Sequence, residues 1–266
     1  METRVEEVVI DDRRVVAVRP IEEGPWPGVL MLHEIFGIDD VLLRHAQRLA
    51  SAGYVVSVPD LLGDGAWLRC IQATFRAYRA RAGKPFELIE SSCQQLRTHP
   101  ACTGKVGVIG FCFGGGFALL LAADGYHASA VNYGEIPDDI NDIAARACPI
   151  VASYGGRDRM AKNVPALQAA LEAHSVPHDI KVYPSAGHTF LNDEVNGPSW
   201  FRPVGRRLQR FTHVGPEPGA SGSCRCLASD RSLLRSAPGS WLDLVSMSPL
   251  VPANVQHSPA RSRVAE

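Results

Sequence analysis

The chain has 266 residues, of which 45% are apolar and 21% charged, with a formal net charge of −1. This length accommodates one large domain or two small ones, and the apolar share supplies a full core, which excludes wholesale disorder. The near-neutral balance offers no electrostatic basis for binding nucleic acid or an anionic membrane.

In chain order, residues 1–14 are charged and lack the apolar centre of a secretory leader. A short β-rich run at 14–18 follows, then a continuous apolar run at 28–33. Residues 39–52 read as a helix, with Asp39 and Asp40 as N-caps and Gly53 as its stop. The run 54–58 is apolar again. In 87–97, Leu88, Ile89, Cys93 and Leu96 form one helical stripe. Apolar runs recur at 105–111, 128–133, 149–154 and 179–183, with helix-like segments at 117–123 and 163–174 between them. Continuous rather than alternating apolar strands indicate a sheet buried on both faces. Alternation of strand and helix then predicts an α/β fold, with a mostly parallel, doubly wound sheet and helices on both faces. Such sheets carry their chemistry on loops at the carboxyl ends of strands. No apolar run is long enough to span a bilayer, so no membrane association is expected.

From about residue 202 the alternation stops and Gly, Pro, Ser and Arg dominate. The expected division is a catalytic domain over 1–210 and a weakly structured tail over 211–266. Seven cysteines show no paired zinc spacing, and the C-x-C of Cys224 and Cys226 stands alone. They are expected to be free thiols in a reducing cytoplasm, with no metal.

The strongest motif is Gly110-Phe111-Cys112-Phe113-Gly114, followed by Gly115 and Gly116. It has the form G-x-nucleophile-x-G between a strand and a helix, with Cys where Ser is usual. The turn is sharp enough that side chains beside the nucleophile would collide. A helix N-terminus behind the sulfur favours the reactive thiolate. The loop lacks the Gly-Lys-Ser/Thr ending of a phosphate-binding loop.

A thiolate nucleophile needs a base and a group to orient that base. His188 lies in Ser185-Ala186-Gly187-His188-Thr189-Phe190, and Asp158 in Gly155-Gly156-Arg157-Asp158, each just after an apolar run. The order Cys112, Asp158, His188 is that of α/β-hydrolases. Asp193 is a rival acid but shares the histidine's own loop. Arg157 and Arg159 read as solvated. His33-Glu34-Ile35-Phe36-Gly37 follows the run 28–32, where this fold takes one N–H of its oxyanion hole. The hole is therefore assigned to the N–H groups of Ile35 and Phe113. His33 reads as structural rather than as a base. Glu34, a carboxylate beside the sulfur, would disfavour the thiolate until displaced.

These residues resemble the dienelactone hydrolase family. The resemblance runs from about 8 to 200 and rests on H-E-I-F-G at 33–37, V-P-D-L at 58–61 and G-K-V-G-V-I-G-F-C-F-G-G-G at 104–116. Y-G-G-R-D at 154–158 and A-G-H-T-F at 186–190 complete it. It implies a triad of Cys112, His188 and Asp158, a resting contact between Glu34 and the cysteine that substrate displaces, and no metal or organic cofactor. The implied reaction opens a dienelactone ring. The sequence departs from the family in two places. The family's carboxylate-binding arginine after the histidine motif is replaced by Leu191-Asn192-Asp193, and the usual closing helix is not legible after Pro203. Tyr78, with Arg76 or Arg79, aligns with a second substrate-binding group. The expected function is hydrolysis of a small-molecule ester or lactone through a thioester. The departures keep open a second reading, a non-catalytic ligand-binding or interaction protein of the same fold.

Overall fold

The computed structural model describes residues 1–194. The expected domain boundary near 210, the tail 211–266 and the closing helix lie outside the described residues. β1 (Thr3–Ile10) and β2 (Arg13–Pro20) form an antiparallel hairpin, with Val8 facing Val15 across the register. Its two-residue turn places Asp11 and Asp12 at φ 49° and 58°, as the twist of a tight hairpin requires. β3 (Trp26–Leu32), β4 (Val55–Pro59), β5 (Cys102–Phe111), β6 (Ser129–Asn132), β7 (Ile150–Gly155) and β8 (His178–Tyr183) complete an 8-stranded sheet in the order β1-β2-β4-β3-β5-β6-β7-β8. β2 pairs with β4 antiparallel, and every later pairing is parallel.

The helices are α1 (Asp40–Ser51), α2 (Trp67–Ala80), α3 (Lys84–Thr98), α4 (Phe113–Leu121), α5 (Ile140–Ala144) and α6 (Val164–Ala173). Asp39 caps α1 as expected, its carboxylate accepting from the Leu42 N–H at 3.0 Å. One face of the sheet packs on α3, α4 and α6 through Leu88, Ile89, Phe117, Leu119, Leu167 and Leu171. The other packs on α1 through Leu42, Ala46 and Ala50 and carries Phe111, Tyr133 and Phe190. The expected architecture, a mostly parallel sheet with helices on both faces, is the one found.

Besides the short α5, for which the sequence reading has no segment, three elements differ from it. β1 was not anticipated, because its alternating charges mark an edge strand rather than a buried one. α2 was not anticipated either. Ala66 supplies no side-chain cap, and only Thr74 and Tyr78 are buried, so its apolar stripe is thin. The third is α4, which begins at Phe113 rather than near residue 117. The glycine run therefore forms its first turn. A Cβ on Gly114 would stand 2.3 Å from the Leu32 carbonyl oxygen, so only a bare backbone lets α4 pass the end of β3.

Candidate active site

β5 ends at Phe111 and α4 starts at Phe113, so Cys112 alone makes the turn, at φ 52° and ψ −112°. Such backbone conformations cost about 1–3 kcal/mol in a non-glycine residue and persist only where the surroundings enforce them. The enforcement is close packing. A Cβ on Gly110 would lie 1.9 Å from the Gly114 oxygen. Cys112 is half-buried and touches the apolar clusters on both faces of the sheet. Its sulfur stands at the head of α4, whose first N–H groups have no acceptor within the helix.

β7 delivers Asp158 and β8 delivers His188. The His188 Nδ1 lies 2.7 Å from Asp158 Oδ2, and its Nε2 lies 3.0 Å from the Cys112 Sγ. Asp158 also accepts from the Met160 N–H at 3.0 Å and caps the 3-10 turn Arg159–Asn163, which fixes the carboxylate in place. The Asp158 side chain is 5% exposed. Burial disfavours a charged ring at His188, but the bonds to Asp158 and Cys112 outweigh it and push its pKa up to about 10. Asp158 is thus the acid brought to the histidine. The rival Asp193 turns away and pairs with Arg44 at 2.6 Å. Arg157 and Arg159 are exposed.

The loop after β3 carries His33 and Glu34. His33 is fully buried, and its Nε2 accepts from the Leu61 N–H at 2.9 Å. Nδ1 therefore holds the proton and donates to the Glu34 carbonyl at 2.6 Å. Burial lowers its pKa, so His33 is a neutral strut, as its sequence context indicated. Ile35 and Phe113 open onto the same carboxyl edge of the sheet. The Ile35 carbonyl accepts from the Trp67 indole at 3.0 Å, and Phe36 stacks on the same indole, so α2 braces this loop.

Glu34 is 6% exposed. Its Oε1 accepts from the Tyr133 hydroxyl at 3.0 Å and from the Asn192 amide at 3.3 Å. Neither partner was singled out as a site residue from sequence. Tyr133 reads there as the last residue of a buried strand, and 99 positions separate it from Glu34. Tyr78 is buried against Phe113 and Phe117, beside Gly116, and burial raises its pKa. Arg76 and Arg79 are exposed on α2. The five described cysteines, Cys70, Cys93, Cys102, Cys112 and Cys148, are free thiols. Among the described residues, no group of three or more His, Cys, Asp or Glu side chains is arranged to hold a metal, and no helix is long and apolar enough to cross a membrane.

The family model described as "Dienelactone hydrolase family" matches residues 14–202. The chain belongs to the dienelactone hydrolase family. A Yersinia pestis relative, provisionally named a carboxymethylenebutenolidase, is 30% identical over 188 residues, covering 64% of this chain and 70% of its own. The carboxymethylenebutenolidase of Pseudomonas putida is 27% identical over 188 residues, covering 66% of this chain and 79% of its own. Among solved structures, a Klebsiella pneumoniae protein provisionally named a dienelactone hydrolase superposes with a TM-score of 0.59 at 22% identity. The match spans 80% of this chain and 99% of that one. At that identity the likeness speaks for the α/β-hydrolase fold. Membership in the dienelactone hydrolase family makes the chain a carboxylic ester or lactone hydrolase.

Proposed function

We propose that Cys112, His188 and Asp158 form a catalytic triad that cleaves a small-molecule ester or lactone, dienelactone-like in kind, through a thioester. The observation that carries this reading is the imidazole bonded to Asp158 on one side and to the Cys112 sulfur on the other. His188 takes the thiol proton, and Sγ attacks the acyl carbon. The carbonyl oxygen gains negative charge, which the N–H groups of Ile35 and Phe113 receive. The bond from acyl carbon to leaving oxygen then breaks, and His188 gives its proton to that oxygen. Water attacks the thioester while His188 takes a proton from it; the acid leaves, and the proton returns to sulfur. Asp158 holds the ring and stabilises its charged form throughout. No step calls on a cofactor.

Glu34 gates the nucleophile in this account, since a carboxylate turned onto the sulfur competes with His188 for the thiol proton. Tyr78 and Arg76 are assigned to the substrate side, Tyr78 through its packing on Phe113. Near-neutral charge and the free thiols among the described residues support a cytoplasmic enzyme that acts on a small-molecule substrate rather than on nucleic acid or membrane.

The test is hydrolysis of a small aryl ester by the wild type and by Cys112→Ala. The expected result is loss of turnover to near background in the variant. Unchanged turnover overturns the cysteine mechanism.

A further inference from the structure

The mechanism proposed above sets two groups to compete for the Cys112 proton, His188 and Glu34, and one residue touches both. Tyr133 is fully buried. Its hydroxyl donates to Glu34 Oε1 at 3.0 Å, while its ring meets the His188 ring edge-on, with centroids 5.2 Å apart and planes at 65°. A second edge-on contact, with Phe190 at 5.8 Å, fixes the ring from the far side. Asn192 completes the arrangement, bonded to the same Glu34 oxygen at 3.3 Å and 3.4 Å from the phenol oxygen.

The backbone shows what it costs to put Tyr133 there. It follows β6 at φ 42°, a left-handed conformation in a bulky residue, and its N–H donates to the Ser153 carbonyl at 2.8 Å. Strain of this kind inside a core, with no turn that demands it, marks a side chain whose direction matters. Burial, with Glu34 beside it, raises the phenol's pKa far above its ordinary value, so it remains a neutral donor. Cys112 lies within electrostatic reach of the same hydroxyl.

We propose that Tyr133, assisted by Asn192, is a positioning residue that parks the Glu34 carboxylate and thereby leaves the Cys112 sulfur to His188. The proposal rests on the cysteine mechanism and on Glu34 as its gate, and it names what sets the gate. A carboxylate oxygen that already accepts two hydrogen bonds has little to gain from the thiol. Without the phenol hydroxyl, Oε1 loses one of the two bonds that hold it, and the carboxylate is released toward the Cys112 S–H. The tyrosine ring still backs His188 in that case.

Tyr133→Phe removes one oxygen and keeps the ring. The measurement is the rate of iodoacetamide labelling at the Cys112 peptide, followed by mass spectrometry, together with kcat and KM on an aryl ester. Tyr133→Phe is expected to slow labelling about tenfold, the scale of one hydrogen bond to a charged group, and to lower kcat with KM held. Adding Glu34→Gln is expected to restore labelling to the rate of Glu34→Gln alone, because an amide does not take the thiol proton. Asn192→Ala repeats the test at the second donor, with a smaller loss of the same sign, and it decides the matter if Tyr133→Phe does not fold. Wild-type labelling in the folded variants overturns the proposal. So does a double variant as slow as Tyr133→Phe, which would mark a packing defect. Labelling reads the thiol whether or not it catalyses, and Cys112→Ala assayed alongside separates failure of this proposal from failure of the triad.

Discussion

Two regions of the sheet hold non-glycine residues with positive φ, and they are built in opposite ways. In the β1–β2 hairpin, Asp11 and Asp12 are exposed, and the turn itself demands their conformation. At the carboxyl edge, Cys112, Tyr133 and Thr189 have φ of 52°, 42° and 58°, yet they are half-buried or buried. No tight hairpin asks for those angles. The first two bring a sulfur and a phenol ring against the imidazole, the third follows that imidazole in the chain, and packing holds them there. Strain in the hairpin is a local property of a turn, whereas strain at the edge is a property of the whole core. Substitutions should therefore be absorbed in the first region and felt far away in the second.

The sharpest break is expected at the imidazole. His188→Ala should leave the fold intact and lower kcat by about 10⁴-fold or more, the scale seen when a member of a cooperating triad is removed; stopped or steady-state ester assays measure it. Next comes Asp158→Asn, with an expected loss of about 10⁴-fold from a misoriented ring. It carries a second readout. Once His188 has taken the thiol proton, its bonds to Asp158 and Cys112 hold that proton on the ring up to about pH 10, so activity that needs this charged pair is present below that pH and lost above it. Removing the Asp158 charge withdraws a cause of the raised value, so the alkaline limb of kcat/KM should move to lower pH. A limb that stays in place would separate Asp158 from His188.

Gly114→Ala tests packing rather than chemistry. Its Cβ would meet the Leu32 oxygen at 2.3 Å, where no flexible side chain can yield. The expected cost is about 1–3 kcal/mol, with a shifted Cys112 and reduced activity; urea denaturation and the ester assay measure both. The smallest effect is expected in the hairpin. Asp12→Gly should change stability by about 1 kcal/mol or less and leave kcat untouched. A large activity loss there would dissolve the contrast between the two regions.

Much of this was legible in the sequence because it depends on neighbours. The continuous apolar runs mark the parallel strands of a doubly covered sheet, and glycines on both sides of Cys112 mark the turn. Asp158 and His188 each follow a strand, so the chain order alone brings them to one edge. What was not legible depends on distance or on edges. The pairing of Asn192 with Glu34 joins residues 158 positions apart. In the sequence Asn192 is only one of three residues in a stretch that lacks the family's arginine, while its side chain in the fold serves the carboxylate. β1 escaped notice because an edge strand keeps its charges, and α2 because its buried stripe is thin.

The most direct test of the central claim is to trap the acyl-enzyme. A slowly deacylating aryl ester is mixed with the wild-type protein, the reaction is quenched in acid, and the peptides are read by mass spectrometry. The account predicts the mass of the acyl group on the peptide bearing Cys112, released by neutral hydroxylamine and absent in Cys112→Ala. Acylation at another residue, or steady hydrolysis with the Cys112 peptide never modified, would contradict it.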